Sequence, residues 1–458
     1  MTRLWAETAL LADGWHRNVA VEITANGRIA AVETGVSEAD CQADQRLGIL
    51  LPAPSNLHSH AFQRAMAGLS ERRGEGENDS FWTWRELMYR FLASYTPERV
   101  EAVAAFVQME MLEAGYAASA EFHYLHNQPD GAAYADPAEL SRRIVAAAGT
   151  SGIGLTLLPV YYATGGIDGR PLAGGQLRFR NDLDSFARLI EGASSAVASL
   201  GPDARLGLAP HSLRAVPRDA LTHLVALRPD DPLHMHIAEQ TAEIAEVEAG
   251  YGARPVRWLL DAHDVDGRWC LIHCTHLDTG ERRDLAASGA VAGLCPITES
   301  SLGDGIFDGA RYLADGGVIG IGSDSNIRIS LSEELRTLEY SQRLRDRQRA
   351  VLATRDLSCG RRLYDAVTAG GAQALGRDCG AIATGRLADL VALDAGSVHL
   401  DGCAGDELLD AWIFAGDDRL VRDVWAAGRH VVREGRHVRR AEIEKGYRDA
   451  VRSLRQGL

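Results

Sequence analysis

Along most of this chain, short apolar runs alternate with longer stretches whose apolar positions recur at helical spacing. Candidate strands end near His60, His126, Pro159, His211, Ala238, Cys274, Cys295 and Asp324. Between them lie segments rich in Ala, Leu, Glu and Arg, such as 98–114, 183–200 and 239–249, whose pattern predicts helices. Strands alternating with helices in this way predict an α/β fold, a (β/α)8 TIM-like barrel. Polar residues gather at the C-terminal ends of the strands, the face on which such barrels build their sites.

The two ends of the chain show a different pattern. Segments 4–11, 19–23 and 29–33 are short strand-like runs, with Asn26-Gly27 as a tight turn between the last two. Near the C-terminus, 385–394 reads as a turn entering a strand, and 410–415 and 421–432 continue in the same style. The termini are therefore expected to pair as one small β-sandwich domain. The expected division is 1–52 for its N-terminal part, 53–378 for the barrel, and 379–458 for its C-terminal part with a terminal helix. The polar run 71–80 follows the first barrel strand and reads equally as a mobile lid or a solvated loop.

Composition sets limits on this picture. A chain of 458 residues with 46% hydrophobic content can bury the core of one large domain and a smaller one. The formal charge of −15, from 48 basic and 63 acidic residues, argues against a nucleic-acid partner, which needs a concentrated basic face. A small anionic substrate stays open, because a few buried arginines override the overall field locally. The 7 cysteines are odd in number and lack a short-spaced framework, so a reduced, cytoplasmic setting is expected. Cys270 and Cys274 have no second pair to complete a structural zinc site and are expected to pack. No window approaches ~20 apolar residues, and no basic segment leads into a long apolar one, so no membrane association is expected.

The candidate chemistry lies at the strand ends. His58 and His60, two apart on a strand, share a face and can grip one metal ion. In the run 232–239, His236 lies nearer the barrel mouth than His234 and is the better ligand, with His234 deeper in the core. Asp324 closes a strand whose Gly320 and Gly322 permit close approach; it can bind metal and accept a proton from a hydrolytic water. Imidazole ligands with a carboxylate suit zinc, with iron or nickel as alternatives. Glu239, just beyond its strand, is free to shuttle protons, or is an acid stabilised by a helix N-terminus. His273 can orient or polarise the attacked group, and His276 supports its loop. The set fits hydrolytic attack on an electron-poor sp2 carbon, and leaves C=O and C=N targets undistinguished.

The ordered set His58-Ser59-His60, His236 with Glu239, His273 in His-Cys-Thr-His, and Asp324 resembles the amidohydrolase superfamily, in its aminohydrolase branch. The similarity spans nearly the whole chain. It implies one zinc per subunit held by His58, His60, His236 and Asp324, with Glu239, His273 and Asp324 as catalytic groups, and a homodimer. Within the branch, 57–63, 81–85, 211–214 and 295–305 are most similar to members acting on N-formimidoyl-L-glutamate in histidine degradation. Purine and triazine relatives carry Asn-Pro-x-Ser-Asn where this chain has Cys-Pro-Ile-Thr-Glu-Ser at 295–300. That departure counts against a purine or triazine ring.

The resemblance thus implies hydrolysis of N-formimidoyl-L-glutamate to N-formyl-L-glutamate and ammonia. For this small dicarboxylate, Arg214 with His211 is expected to clamp a carboxylate through paired hydrogen bonds. Gln63 is expected to contact the substrate, Tyr124 either to donate to a carboxylate or to pack, and Arg85, held by its aromatic neighbours Trp82 and Trp84, to be a second anion contact. A deaminase of guanine or another heterocycle is the rival enzyme, and a metal-retaining binding or scaffold protein the rival outside enzymology. Cyclic-amide hydrolysis at two metals is disfavoured, because no lysine lies where a bridging ligand for a second metal is expected after the fourth strand.

Overall fold

The computed structural model describes residues 1–71 and 81–456, with the side chains of residues 81–83 and 86 outside the description. Four strands open the chain: β1 (Thr2–Leu11), β2 (Gly14–Ile23), β3 (Ile29–Glu33) and β4 (Gln45–Pro52). The barrel strands follow: β5 (Ser55–Ser59), β6 (Ala118–His123), β7 (Gly154–Tyr161), β8 (Arg205–Leu206), β9 (Ala209–Pro210), β10 (Leu233–Ile237), β11 (Trp269–His273), β12 (Val291–Leu294) and β13 (Val318–Ile321). The chain then returns through β14 (Leu390–Leu393), β15 (Val421–Ala426), β16 (Arg429–Arg433) and β17 (Arg436–His437).

In hydrogen-bonding terms the terminal domain is one mixed sheet, ordered β17-β16-β15-β14-β4-β1-β2-β3. The two ends of the chain meet where β4 pairs antiparallel with β14, Leu51 opposite Val391. Alternation puts Leu4, Val19, Val21, Leu50, Leu390 and Trp425 into one apolar cluster. The Asn26-Gly27 turn requires glycine: Gly27 has φ +79°, and a Cβ there would lie 2.1 Å from the Ala427 carbonyl oxygen.

β5 through β13 form the parallel barrel, with β8 and β9 sharing the fourth position. Their residues are almost wholly buried, as strands enclosed on both faces must be. One seam closes through Leu208, whose N–H donates to Pro232 O at 2.9 Å and whose carbonyl accepts from His234 N at 2.9 Å. The other closes where Asp324 N donates to His58 O and His60 N to Asp324 O, both at 2.9 Å. This seam draws two metal-candidate segments together. Gly322 permits it, since a Cβ there would sit 2.7 Å from His58 Cβ.

Two local expectations change. Segment 410–415 forms helical turns, not a strand: Leu408, Leu409, Trp412 and Ile413 are buried at helical spacing, and the preceding turn is pinned by Gly360 N donating to Asp410 Oδ1 at 2.8 Å. β6 stops at His123, so Tyr124 and His126 stand just past the strand. The terminal helix Arg440–Arg455 lies on barrel helix Pro97–Glu113, with the Phe106 and Tyr447 rings stacked at 3.8 Å. Of the polar run 71–80, all but Glu71 lies outside the described residues. Among the described residues no helix is long and apolar enough to cross a membrane.

Candidate active site

His58 lies in β5, His60 just beyond it, His236 in β10, and Asp324 three residues past β13. The fold turns their ligand atoms towards one point. The Nε2 atoms of His58 and His60 are 3.1 Å apart, those of His60 and His236 3.3 Å, and those of His236 and His58 3.1 Å. Asp324 Oδ1 is 3.4 Å from His58 Nε2 and 3.2 Å from His60 Nε2. A tetrahedral zinc shell with ligands at about 2.1 Å has edges of about 3.4 Å, so this spacing fits one small divalent ion.

The tautomers agree. His60 Nδ1–H donates to Phe122 O at 3.0 Å and His236 Nδ1–H to His211 O at 3.1 Å, which leaves both Nε2 lone pairs facing inward. Burial, reinforced by His60, lowers the His58 pKa to about 3, and burial and the neighbouring imidazoles hold His236 well below its ordinary value. Burial raises the Asp324 carboxyl, but its close contacts with the His58 and His60 rings outweigh it and hold the group well below the usual range. Neutral imidazoles beside a carboxylate are the donor set a divalent ion needs. The chain's single lysine, Lys445, lies on the terminal helix, far from any bridging role between two ions.

A buried polar layer braces these ligands. Glu121 accepts from Ser59 Oγ and from Ala61 N, each at 2.8 Å, and burial raises its pKa to about 7. Asn326 Nδ2 donates to Ser59 Oγ at 3.2 Å and Asp324 O at 3.0 Å, tying the two ligand segments side to side. Asp324 itself has φ +44°, a left-handed conformation held only because its surroundings over-determine it.

Beside the metal set stand Glu239 and His273. His273 Nε2 is 3.8 Å from Glu239 Oε1, and its Nδ1 is 3.3 Å from Glu299 Oε1. Burial opposes protonation of His273, but the carboxylates of Glu239, Glu299 and Asp324 prevail and raise its pKa to about 10. It too is left-handed, with φ +74°. Asp304 is buried close by; burial, then Glu239, raises its pKa to about 8. His276 Nε2–H donates to Asp304 O at 2.9 Å and so supports its loop, while His234 Nε2–H donates to Ala374 O at 2.8 Å in the barrel core.

A cleft opens above these groups, and Gln63, Arg85, Tyr124, His211 and Arg214 all line it. Gln63 Nε2 donates to Tyr124 Oη at 2.7 Å, and Gln63 Oε1 is buried without a partner among the described residues. The Tyr124 ring lies 4.8 Å from His60, and the His211 ring 4.9 Å from His236. Burial, then Arg214 and Arg85, keeps His211 neutral, well below its ordinary pKa. Trp84 also lines the cleft, whereas the Trp82 side chain lies outside the described residues. Tyr162 and Glu299 were not singled out from the sequence. Tyr162 follows a strand end, and Glu299 sits inside the motif that departs from the purine and triazine pattern; those positions were the available signals.

Comparison with known proteins agrees with this geometry. The model described as "Amidohydrolase family" matches residues 49–431, and that described as "Formimidoylglutamate deiminase HutF, N-terminal domain" matches residues 1–48. A formimidoylglutamate deiminase from Pseudomonas aeruginosa is 53% identical over 440 residues, covering 95% of this chain and 96% of the relative. A 5-methylthioadenosine/S-adenosylhomocysteine deaminase from Natronomonas pharaonis is 27% identical, covering 94% of this chain and 90% of the relative. The crystal structure of an amidohydrolase from Brucella melitensis superposes with a TM-score of 0.95 at 48% identity, covering 99% of this chain and 100% of that one.

Proposed function

This chain belongs to the amidohydrolase family, and from that premise we propose that it hydrolyses N-formimidoyl-L-glutamate to N-formyl-L-glutamate and ammonia in histidine degradation. The observation that carries the reading is a single cleft with a four-donor metal set at its floor and two guanidinium groups, Arg85 and Arg214, on its wall. A short molecule with an amidine at one end and carboxylates at the other matches both. The relative from Pseudomonas aeruginosa, by its name, supports the same substrate. The reading carries with it the expectation of a cytoplasmic homodimer.

His58, His60, His236 and Asp324 would hold one divalent ion, zinc, with iron or nickel as alternatives. When bound, such an ion makes water acidic enough to lose a proton near neutral pH. Asp324 accepts that proton as water adds to the amidine carbon. Glu239 carries a proton to the imine nitrogen, and His273 Nε2, 3.8 Å from the Glu239 carboxylate, donates towards the attacked group. The resulting tetrahedral carbon bears a hydroxyl and two nitrogens. Breaking its bond to the protonated terminal nitrogen releases ammonia and leaves the formyl C=O; one water is consumed.

The substrate lies with its α-carboxylate, two bonds from the amidine nitrogen-bearing end, near the residues packed on the metal set: Gln63, Tyr124 and His211. The distal carboxylate then reaches Arg85 and Arg214. Assay of the zinc-replete protein with N-formimidoyl-L-glutamate, measuring ammonia and identifying the product by NMR, tests the reading. Ammonia from guanine, 5′-methylthioadenosine or a triazine, and none from the amidine, would replace it with a heterocycle deaminase. Silence towards all of them with metal bound would leave a binding or scaffold role.

A further inference from the structure

Tyr162 stands just past β7 on the wall of the cleft, and its hydroxyl is in an unusual position. Arg85 Nη2 donates to the Tyr162 oxygen at 2.9 Å, and Gln176 Nε2 donates to it at 3.2 Å. The orientation of the Gln176 amide is fixed independently, because its Oε1 accepts from Ala173 N at 3.1 Å. A phenolic oxygen has two acceptor sites and one O–H. Both acceptor sites are taken, and among the described residues no acceptor meets the O–H.

The residue cannot easily turn elsewhere. Its backbone is clamped by Asn181, which accepts from Tyr162 N at 2.9 Å and donates to Tyr162 O at 3.2 Å. Its ring packs edge-on against His211 at 4.6 Å and against Phe179 at 5.5 Å. Tyr162 is 3% exposed, and it lines the same cleft as Arg85 and Arg214. A buried donor without an acceptor costs stability unless a ligand supplies one. Two donated hydrogen bonds, one of them from a guanidinium, also polarise the O–H towards a stronger interaction with an anion.

We propose that Tyr162 is a specificity-determining residue that donates its phenolic O–H to the distal carboxylate of the substrate, beside Arg85. This rests on the substrate proposed above and adds to it a neutral donor that reads the carboxylate's acceptor geometry. A guanidinium attracts any nearby anion, whereas an O–H fixed by Arg85 and Gln176 rewards an acceptor at one place.

The test is steady-state kinetics of wild type and Tyr162→Phe on two substrates. These are N-formimidoyl-L-glutamate and N-formimidoyl-L-norvaline, whose terminal methyl replaces the distal carboxylate. The variant should lose about 10-fold or more in kcat/KM on the glutamate compound, chiefly through KM, the usual scale for a hydrogen bond to a charged group. The two proteins should be equal on the norvaline compound. The loss should persist in an Arg85→Met background. Unchanged kcat/KM on the glutamate compound would overturn the proposal, as would an equal loss on both compounds, the mark of packing alone. Disappearance of the effect in Arg85→Met would also overturn it, by making Tyr162 only a support for Arg85. Wild type that releases no ammonia from the glutamate compound sinks the parent reading as well; an active wild type with an equally active variant sinks this one alone.

Discussion

Glu299 Oε1 lies 3.3 Å from Nδ1 of His273. The same oxygen accepts from the backbone N–H of Cys295 at 2.9 Å, so the carboxylate is itself held in place. It anchors the far side of an imidazole whose near side faces Glu239 and the cleft. His273 sits in a left-handed backbone conformation, and one polar anchor fixes its ring plane where the backbone alone would not.

The first prediction follows from that pair. Glu299→Gln keeps an oxygen for Cys295 N but removes the negative charge opposite His273. Its kcat on N-formimidoyl-L-glutamate should fall roughly 10- to 100-fold, the range typical of residues that orient a working histidine. Bound zinc per subunit and KM should stay near wild type, because Glu299 lines neither the metal set nor the carboxylate end of the cleft. Wild-type kcat in this variant would show that His273 needs no anchor.

A second prediction concerns the metal set. Three Nε2 atoms and a carboxylate oxygen within 4.8 Å of one another, all buried, are a costly cluster to hold together without a cation between them. Removing metal with a chelator at neutral pH should abolish ammonia release and lower Tm, since an ion that binds only the folded chain stabilises it. Adding back zinc should restore both. His236→Ala should weaken zinc retention, measured by elemental analysis after dialysis, while the secondary structure persists. Equal Tm with and without metal would deny the ion its structural share.

How much of this could be read from the chain depends on what each residue does. His58, His60, His236 and Asp324 were legible because metal binding admits few residue types, and strand periodicity fixes which way they point. The eight barrel strands were legible because their apolar runs are bounded by turns and helices. Segment 410–415 was not, because apolar pairs at 408–409 and 412–413 suit a helix, whereas 410–415 taken alone has the look of a strand. Tyr162 and Glu299 carry no local signature at all. One matters through Gln176 and Arg85, the other through a histidine 26 positions away, and only tertiary packing creates those relations.

A third prediction tests the joint between the two domains. Arg377 and Asp389 are both fully buried, with Nη2 and Oδ2 2.9 Å apart. Asp389 enters β14, and Asp203, also in contact with Arg377, pairs with Arg429 of β16 at 2.8 Å. Replacing one partner strands the others in a medium that cannot solvate them. Arg377→Leu should therefore cost about 3–5 kcal/mol in urea unfolding, with kcat unchanged in the protein that remains folded. A loss below 1 kcal/mol would mean that water reaches this network.

The last prediction is a pH dependence of stability that arises away from the metal set. His126 Nε2–H donates to Val160 O at 2.9 Å, and its Nδ1 is buried without a partner among the described residues. Protonation would place an unsatisfied N–H and a charge in the core, and burial accordingly lowers its pKa from 6.5 to about 4. In the unfolded chain the same side chain takes up a proton near pH 6.5. The contribution of His126 is therefore fully present above pH 6.5 and is lost as pH falls from there towards 4, below which it changes no further. A displacement of this size corresponds to about 3 kcal/mol, to order of magnitude. His126→Gln retains an amide donor for Val160 but does not titrate. Wild-type stability, from urea midpoints measured at saturating zinc, should fall more steeply than that of His126→Gln between pH 6.5 and 4. The two curves should run parallel above pH 7. Parallel curves throughout would mean that His126 is already solvated in the folded protein.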